Sequence, residues 1–201
     1  MTDTVAPKVL GTALAHALDG ANVVDDLGSA TAGDYADVAA EYLLLRDDAA
    51  VVDRSVGGAV RVEGRDARSF LDSLVSQDLT VLEDGQGVHS LLLQPTGKLT
   101  ADFGLLQIGT EEFWLDTDVG VGELLAAGLN RFKIRVQADI ADVSAEFGRI
   151  AVKGARAVAS VGETLGVRVP DLLHGHVDWE GARVVRSDWG SLPGVDVVGP
   201  R

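Results

Sequence analysis

Cysteine is missing altogether from the 201 residues. Within them there is therefore no disulfide framework, no thiolate nucleophile and no cysteine-ligated zinc or iron–sulfur site. Positive charge is scarce: 17 Lys and Arg stand against 31 Asp and Glu, a formal charge of −14. Nucleic-acid phosphate is thus a poor direct partner, because such binding rests on clustered Lys and Arg. An anionic membrane surface is weakly disfavoured for the same reason. Long apolar runs are also lacking, and none approaches the ~20 residues that span a bilayer. The start, MTDTVAPKVL, has neither the basic head nor the apolar core of a signal peptide. The expectation is a cytoplasmic protein.

What is present suffices for a core, with 46% hydrophobic residues. Three segments are expected: 1–50 as an N-terminal helical part, 51–140 as the first α+β unit, and 141–201 as a second α+β segment. In the first, Val9–Leu18 and Ala36–Arg46 have helical spacing, and Asp25–Gly33 reads as an acidic small-residue loop. Ala59–Glu63 alternates as a half-buried strand, and Asp66–Val75 carries Ala67, Phe70, Leu71 and Leu74 on one stripe. Phe113–Asp116 reads as a strand and Val119–Asn130 as a helix. Phe132–Ala138 alternates strictly and predicts a strand with Phe132, Ile134 and Val136 inward. Two short strands, Val143–Phe147 and Arg149–Val152, are expected around Gly148. A helix over Ala155–Leu165 and strands over Ala182–Asp188 and Val195–Val198 follow. The order from Ala59 to Ala138 is that of a split βαβ, ferredoxin-like unit. No internal repeat is evident.

The central stretch is Gly85–Leu106. Two apolar runs flank Pro95-Thr96-Gly97-Lys98, where proline presets φ and glycine accepts φ > 0, so a β-hairpin is expected. Its first strand carries His89 and its second Asp102. Burying a carboxylate unpaired costs several kcal/mol, so Asp102 either faces solvent on the polar side of its strand or has a partner. Periodicity alone favours solvent.

Other chemistry signals are weak. Gly97-Lys98 matches only the end of a phosphate loop, with Leu92 and Leu99 where glycine and Ser or Thr belong. His174 and His176, with Asp171 and Asp178 nearby, lack a third metal ligand at a recognisable spacing and read as a solvated loop. No G-x-S-x-G elbow supports a hydrolase triad. Trp114 and Trp179 read as core.

Residues Asp53-Arg54-Ser55, Val60–Gly64, Phe70–Leu74, Ser76-Gln77-Asp78, His89-Ser90, Gly97 and Asp102 occur in order and without a gap. This run resembles the start of the glycine-cleavage T-protein (aminomethyltransferase) family and its YgfZ-type folate-binding paralogues. Val185–Val197 resembles a second family segment, with Arg186, Trp189, Gly194 and Asp196 on its arginine, tyrosine, glycine and glutamate. The resemblance implies a folate-binding fold whose C-terminal domain is absent here, with tetrahydrofolate as cofactor. It implies that Asp102 and Asp196 grip the pterin, that His89 and Trp189 line it, and that Asp118 sits where the family has a folate-contacting asparagine. In the transferases the strand aspartate also handles the chemistry, so Asp102 is the catalytic candidate. Carboxylates suit a pterin edge because it offers paired N–H donors.

Departures point to a branch. Val56-Gly57 replaces the transferases' His-Met, and Ala101 replaces the first of their paired acids. These favour a YgfZ-type accessory protein serving iron–sulfur cluster assembly or repair and tRNA modification, with iron–sulfur enzymes as clients. The alternatives are an aminomethyltransferase proper and a non-catalytic scaffold of the same fold.

Overall fold

A computed structural model describes residues 20–26, 29–35 and 37–201. The helix expected over Val9–Leu18 lies outside them. The elements are β1 (Asn22–Asp26), β2 (Ser29–Asp34), α1 (Val38–Asp47), β3 (Ala50–Asp53), β4 (Gly58–Glu63), α2 (Ala67–Asp72), β5 (Gly87–Leu93), β6 (Leu99–Gln107) and β7 (Glu112–Thr117). Then come α3 (Gly122–Asn130), β8 (Asp139–Asp142), β9 (Phe147–Lys153), α4 (Ala157–Leu165), β10 (His176–Trp179), β11 (Ala182–Arg186) and β12 (Gly194–Pro200). No helix among the described residues is long and apolar enough to cross a membrane.

Two five-stranded antiparallel sheets carry the fold, in the orders β5-β6-β7-β4-β8 and β10-β11-β12-β9-β3. The mixed α+β class and the central hairpin are as expected. β7, the strand expected over Phe113–Asp116, lies between β6 and β4. On one face of the first sheet, Phe103, Leu105, Phe113 and Leu115 bury against Phe70 and Leu71 of α2 and Leu125 and Leu129 of α3. Each such side chain contributes about 1.5–3 kcal/mol on burial. The second sheet packs Val184 and Val195 against Val161 of α4. The remaining faces meet through Leu106, Trp114, Phe147, Val185 and Val198. Trp114 is a core residue as expected, set edge-on to Phe147 with ring centroids 4.8 Å apart.

A repeat joins the sheets, although the sequence reading found none. The series α1-β3-β4-α2-β5-β6-β7 is followed by α3-β8-β9-α4-β10-β11-β12, and matching strands occupy matching places. The leading strands are exchanged: β3 pairs with β9 of the second series, and β8 pairs with β4 of the first. Local chemistry repeats with the topology. In Asp53-Arg54-Ser55 and Asp142-Val143-Ser144 the serine N–H donates to the aspartate Oδ1 at 2.9 Å in both cases. Ser55 Oγ accepts the Arg149 N–H at 3.1 Å, and Ser144 Oγ accepts the Ala59 N–H at 2.9 Å. Gly64 and Gly154, at φ +136° and +135°, leave β4 and β9 at equivalent points. A Cβ on either would lie 2.4 or 2.3 Å from a backbone oxygen, of Gln137 and Asp48 respectively. Only glycine adopts such a φ readily.

Three local expectations are corrected. Asp25–Gly33 is mostly strand, because β1 and β2 pair with each other through backbone groups that need no bulky side chains. Phe132–Ala138 is not a strand. The Asp142–Ser144 turn fixes the register of β8, which pairs Asp139 with Glu63, the last residue of β4. Residues 132–138 therefore lie beyond the end of the available edge, and Arg135 takes φ +58°. Phe132 and Ile134, expected inward, are exposed. Residues 143–146 form the turn after β8, and β9 runs from Phe147 straight through Gly148, which pairs with Gly199.

Candidate functional site

Where the two sheets face each other, packing leaves a cavity of about 240 Å³. The first sheet contributes alternate residues of β6 and β7, whose other faces are committed to the helices. Asp102, Gly104 and Asp116 therefore point at the second sheet, with His89 of β5 beside them. The second sheet contributes Arg149 and Asp196, and Trp189 and His174 come from flanking loops. All five residues singled out from the sequence, His89, Asp102, Asp118, Trp189 and Asp196, line this one cavity.

Asp102 is half-exposed, and its Oδ1 lies 2.9 Å from His89 Nε2. The pair is diagonal across the hairpin, since His89 faces Gly104 and Asp102 faces Leu91 in the register. The Thr117 hydroxyl donates to the Asp102 carbonyl at 2.6 Å and ties β6 to β7 at this point. Asp118 is mostly exposed and stands 3.8 Å from Arg54. The Arg54 guanidinium lies 5.9 Å from the centre of the Trp189 ring.

Asp196 is buried at 3% exposure and is not isolated. Its Oδ1 accepts from Lys153 Nζ at 2.6 Å, and Arg149 Nε stands 3.4 Å from its Oδ2 without hydrogen-bond geometry. Arg149 also pairs with Asp116. Asp116, Arg149, Asp196 and Lys153 thus form an alternating ladder of charge from β7 through β9 to β12. Gly104 makes room for it: a Cβ there would come 2.6 Å from Asp116 Oδ1. Lys153 further donates to the Ser187 carbonyl at 2.5 Å and lies 5.1 Å from the centre of the Trp189 ring. Burial pulls its pKa down, against the opposing pull of Asp196. Burial likewise brings Arg149 down to about 10, again opposed by Asp196.

His174 and His176 do not form the solvated loop expected of them. His176 is buried, and His174 lines the cavity with φ +62°. Burial lowers both imidazole pKa values, helped by the charge of His89 at His174 and of Arg183 at His176. Among the described residues no group of three ligands could hold a metal.

Asp116, Arg149 and Lys153 went unmarked in the sequence reading, Arg54 stood there only within the family run, and His174 only as part of a solvated loop. The rule applied to Asp102 would have found two of them, because Arg149 and Lys153 are charges inside the apolar strand FGRIAVK. Asp116 and Arg54 carry no such mark.

Residues 13–179 match the GCVT N-terminal domain family. The chain belongs to this family. The GCVT N-terminal domain here is 28% identical over 149 residues to the aminomethyltransferase of Alkaliphilus oremlandii, covering 74% of this chain and 40% of that protein. It is 32% identical over 100 residues to the aminomethyltransferase of Prosthecochloris aestuarii, covering 50% and 28%. Its fold superposes on the glycine cleavage system aminomethyltransferase T from Bartonella henselae with a TM-score of 0.84, at 23% identity, over 96% of this chain and 54% of that one. The chain thus spans about half or less of the length of these relatives.

Proposed function

We propose that the cavity between the sheets binds the pterin of tetrahydrofolate, and that this GCVT N-terminal domain is the folate-holding part of an aminomethyltransferase-like protein. The reading rests on one observation: Asp102 and Asp196, distant in sequence, open on the same hollow.

The donor set suits a pterin. An ionised carboxylate has about four acceptor positions. Asp196 uses Oδ1 for Lys153, while its Oδ2 stands 3.4 Å from Arg149 Nε. Asp102 spends one oxygen on His89. Each keeps acceptor capacity for ring and amino N–H donors. A volume of about 240 Å³ lies just below the common range for whole drug-sized ligands. It suits a bicyclic head with its tail outside. Asp102 and Asp196 would hold the head, His89 and Trp189 would border it, and Asp118 would stand at the rim. When bound, the reduced pterin supplies a nucleophilic ring nitrogen that carries a one-carbon unit. The chain's own residues place carboxylate acceptors around that ring, and the His89–Asp102 pair offers a site to hold or pass a proton.

Relatives named aminomethyltransferase favour transfer chemistry over the YgfZ-type accessory role in iron–sulfur assembly. The accessory reading keeps one supporting observation, Ala101 and Val56-Gly57 where the transferases carry functional side chains. Thermal unfolding with and without 5-formyltetrahydrofolate tests the common core. The midpoint should rise for the parent chain and stay put for Asp102→Ala. Equal shifts in both would remove Asp102 from the site. Tetrahydrofolate-dependent ammonia release from an aminomethyl-lipoyl carrier, measured on a protein carrying the C-terminal part of the relatives, separates transferase from accessory.

A further inference from the structure

A second hollow, of about 550 Å³, lies between the tip of the β5–β6 hairpin and the C-terminal half of α3. It shares no lining residue with the cavity between the sheets. Its walls are mostly apolar: Leu92, Leu93 and Pro95 on the hairpin, and Leu124, Ala127 and Phe132 on and after the helix. The walls are firmly set. The turn closes through Gln94 N–H to the Lys98 carbonyl and Gly97 N–H to the Gln94 carbonyl, both at 2.8 Å. Leu92 packs so closely on Gly128 that a Cβ there would meet it at 3.0 Å.

Large apolar side chains crowd the rim in the open. Leu124 is 53% exposed, Phe132 40% and Leu93 39%. Folding does not use them, and a contiguous exposed apolar surface around a groove marks an interaction site. The rim also differs in charge from the rest of the chain. Arg131 on its wall, Lys98 in the turn bonded to Gln94 and Arg135 three residues beyond Phe132 are exposed, and none of them forms an ion pair among the described residues. Most other arginines have a carboxylate partner, as Arg54, Arg183 and Arg186 do. A patch of free cations on a chain of formal charge −14 selects an acidic partner at short range, since screening confines the effect to about 8 Å at physiological salt.

We propose that this groove docks an acidic amphipathic helix of a partner protein. Its apolar stripe would enter between Leu93 and Leu124, and its Asp and Glu residues would face Lys98, Arg131 and Arg135. A helix laid in an apolar groove is a recurring recognition mode, read as anchors three and four residues apart. The hollow favours this over an anionic bilayer. It is concave, whereas a planar membrane would also meet the acidic surface around the patch.

The test is selection from a phage-displayed library of random peptides about 16 residues long, enough for four helical turns. The parent chain is one target, and Leu124→Glu and Arg131→Glu are the others. All three are first checked for unchanged thermal midpoints. The parent should enrich peptides with apolar residues at helical spacing interleaved with Asp and Glu. By fluorescence anisotropy the best peptide should bind either variant at least about tenfold more weakly. Its affinity should also fall between about 50 and about 300 mM salt. No enrichment, enrichment of basic peptides, or equal binding by parent and variants would overturn the proposal. So would co-sedimentation with phosphatidylserine vesicles that Arg131→Glu abolishes, in the absence of peptide binding. None of these outcomes depends on folate.

Discussion

Lys153 Nζ and Asp196 Oδ1 meet at 2.6 Å with both side chains shut away from water, at 0% and 4% exposure. The amine sits so deep that Gly194 must lack a side chain, since a Cβ there would lie 2.4 Å from Lys153 Cδ. Losing Asp196 strands the Lys153 amine as an uncompensated buried charge, and losing Lys153 leaves the buried Asp196 only the longer contact with Arg149. Lys153→Met and Asp196→Leu, each alone, should cost about 3–5 kcal/mol in urea unfolding. The double variant should recover most of that loss, because an apolar pair needs no charge compensation. Additive losses would mean that the two residues act independently.

Gly64 and Gly154 hold equivalent corners of the two halves, at nearly the same φ. Alanine at either must bear a strained backbone and a clash with a carbonyl oxygen. Gly64→Ala and Gly154→Ala should each destabilise by about 2–4 kcal/mol. Gly97 also has a positive φ, +80°, but open space around it, so Gly97→Ala should cost only about 1 kcal/mol. Equal effects at all three would show that the clash contributes nothing.

The Gly104→Ala variant tests the charge ladder from its other end. Its methyl group would displace Asp116 from Arg149 without replacing any charged residue. Stability should fall by about 1–3 kcal/mol, and 5-formyltetrahydrofolate should raise the melting midpoint less than in the parent. Asp116→Asn should reproduce both effects.

Acid should weaken the fold early. His174 and His176 have imidazole pKa values below the ordinary one, mainly through burial. As pH falls through about 6.5 the unfolded chain takes up these protons before the native chain does. Stability therefore declines with falling pH from that point until the native pKa values are passed. Urea midpoints at about pH 7.5 and about pH 5.5 should show the drop, and His176→Gln should shrink it. An unchanged drop in both His176→Gln and His174→Gln would place its origin elsewhere; Asp188 adds a separate loss in a more acidic range. Its carboxyl is held low by Arg186, so its contribution disappears as pH falls below the ordinary aspartate value.

Elements with a strong local signature were legible in the sequence. The Pro95–Lys98 turn, the Ala67–Phe70–Leu71 stripe and the alternation of Ala59–Glu63 all formed as expected. Phe132–Ala138 failed because alternation says a segment can pair, not that an edge is there to receive it. The exchange of β3 and β8 was hidden for a related reason. Pairing between strands nearly a hundred residues apart leaves no local pattern. The cavity residues reached through family resemblance do converge on one place. The ladder behind them did not show, because the partners of Arg149 and Lys153 lie on other strands.

The exchanged strands also order events at the ribosome. β3 emerges first, yet its neighbour β9 is made only after the whole first sheet has been synthesised. That sheet in turn waits for β8 to cover the edge of β4. Neither half can therefore reach its final form before the other is out of the exit tunnel. A gene cut after Asp118 should yield two insoluble pieces that become soluble only when produced in the same cell.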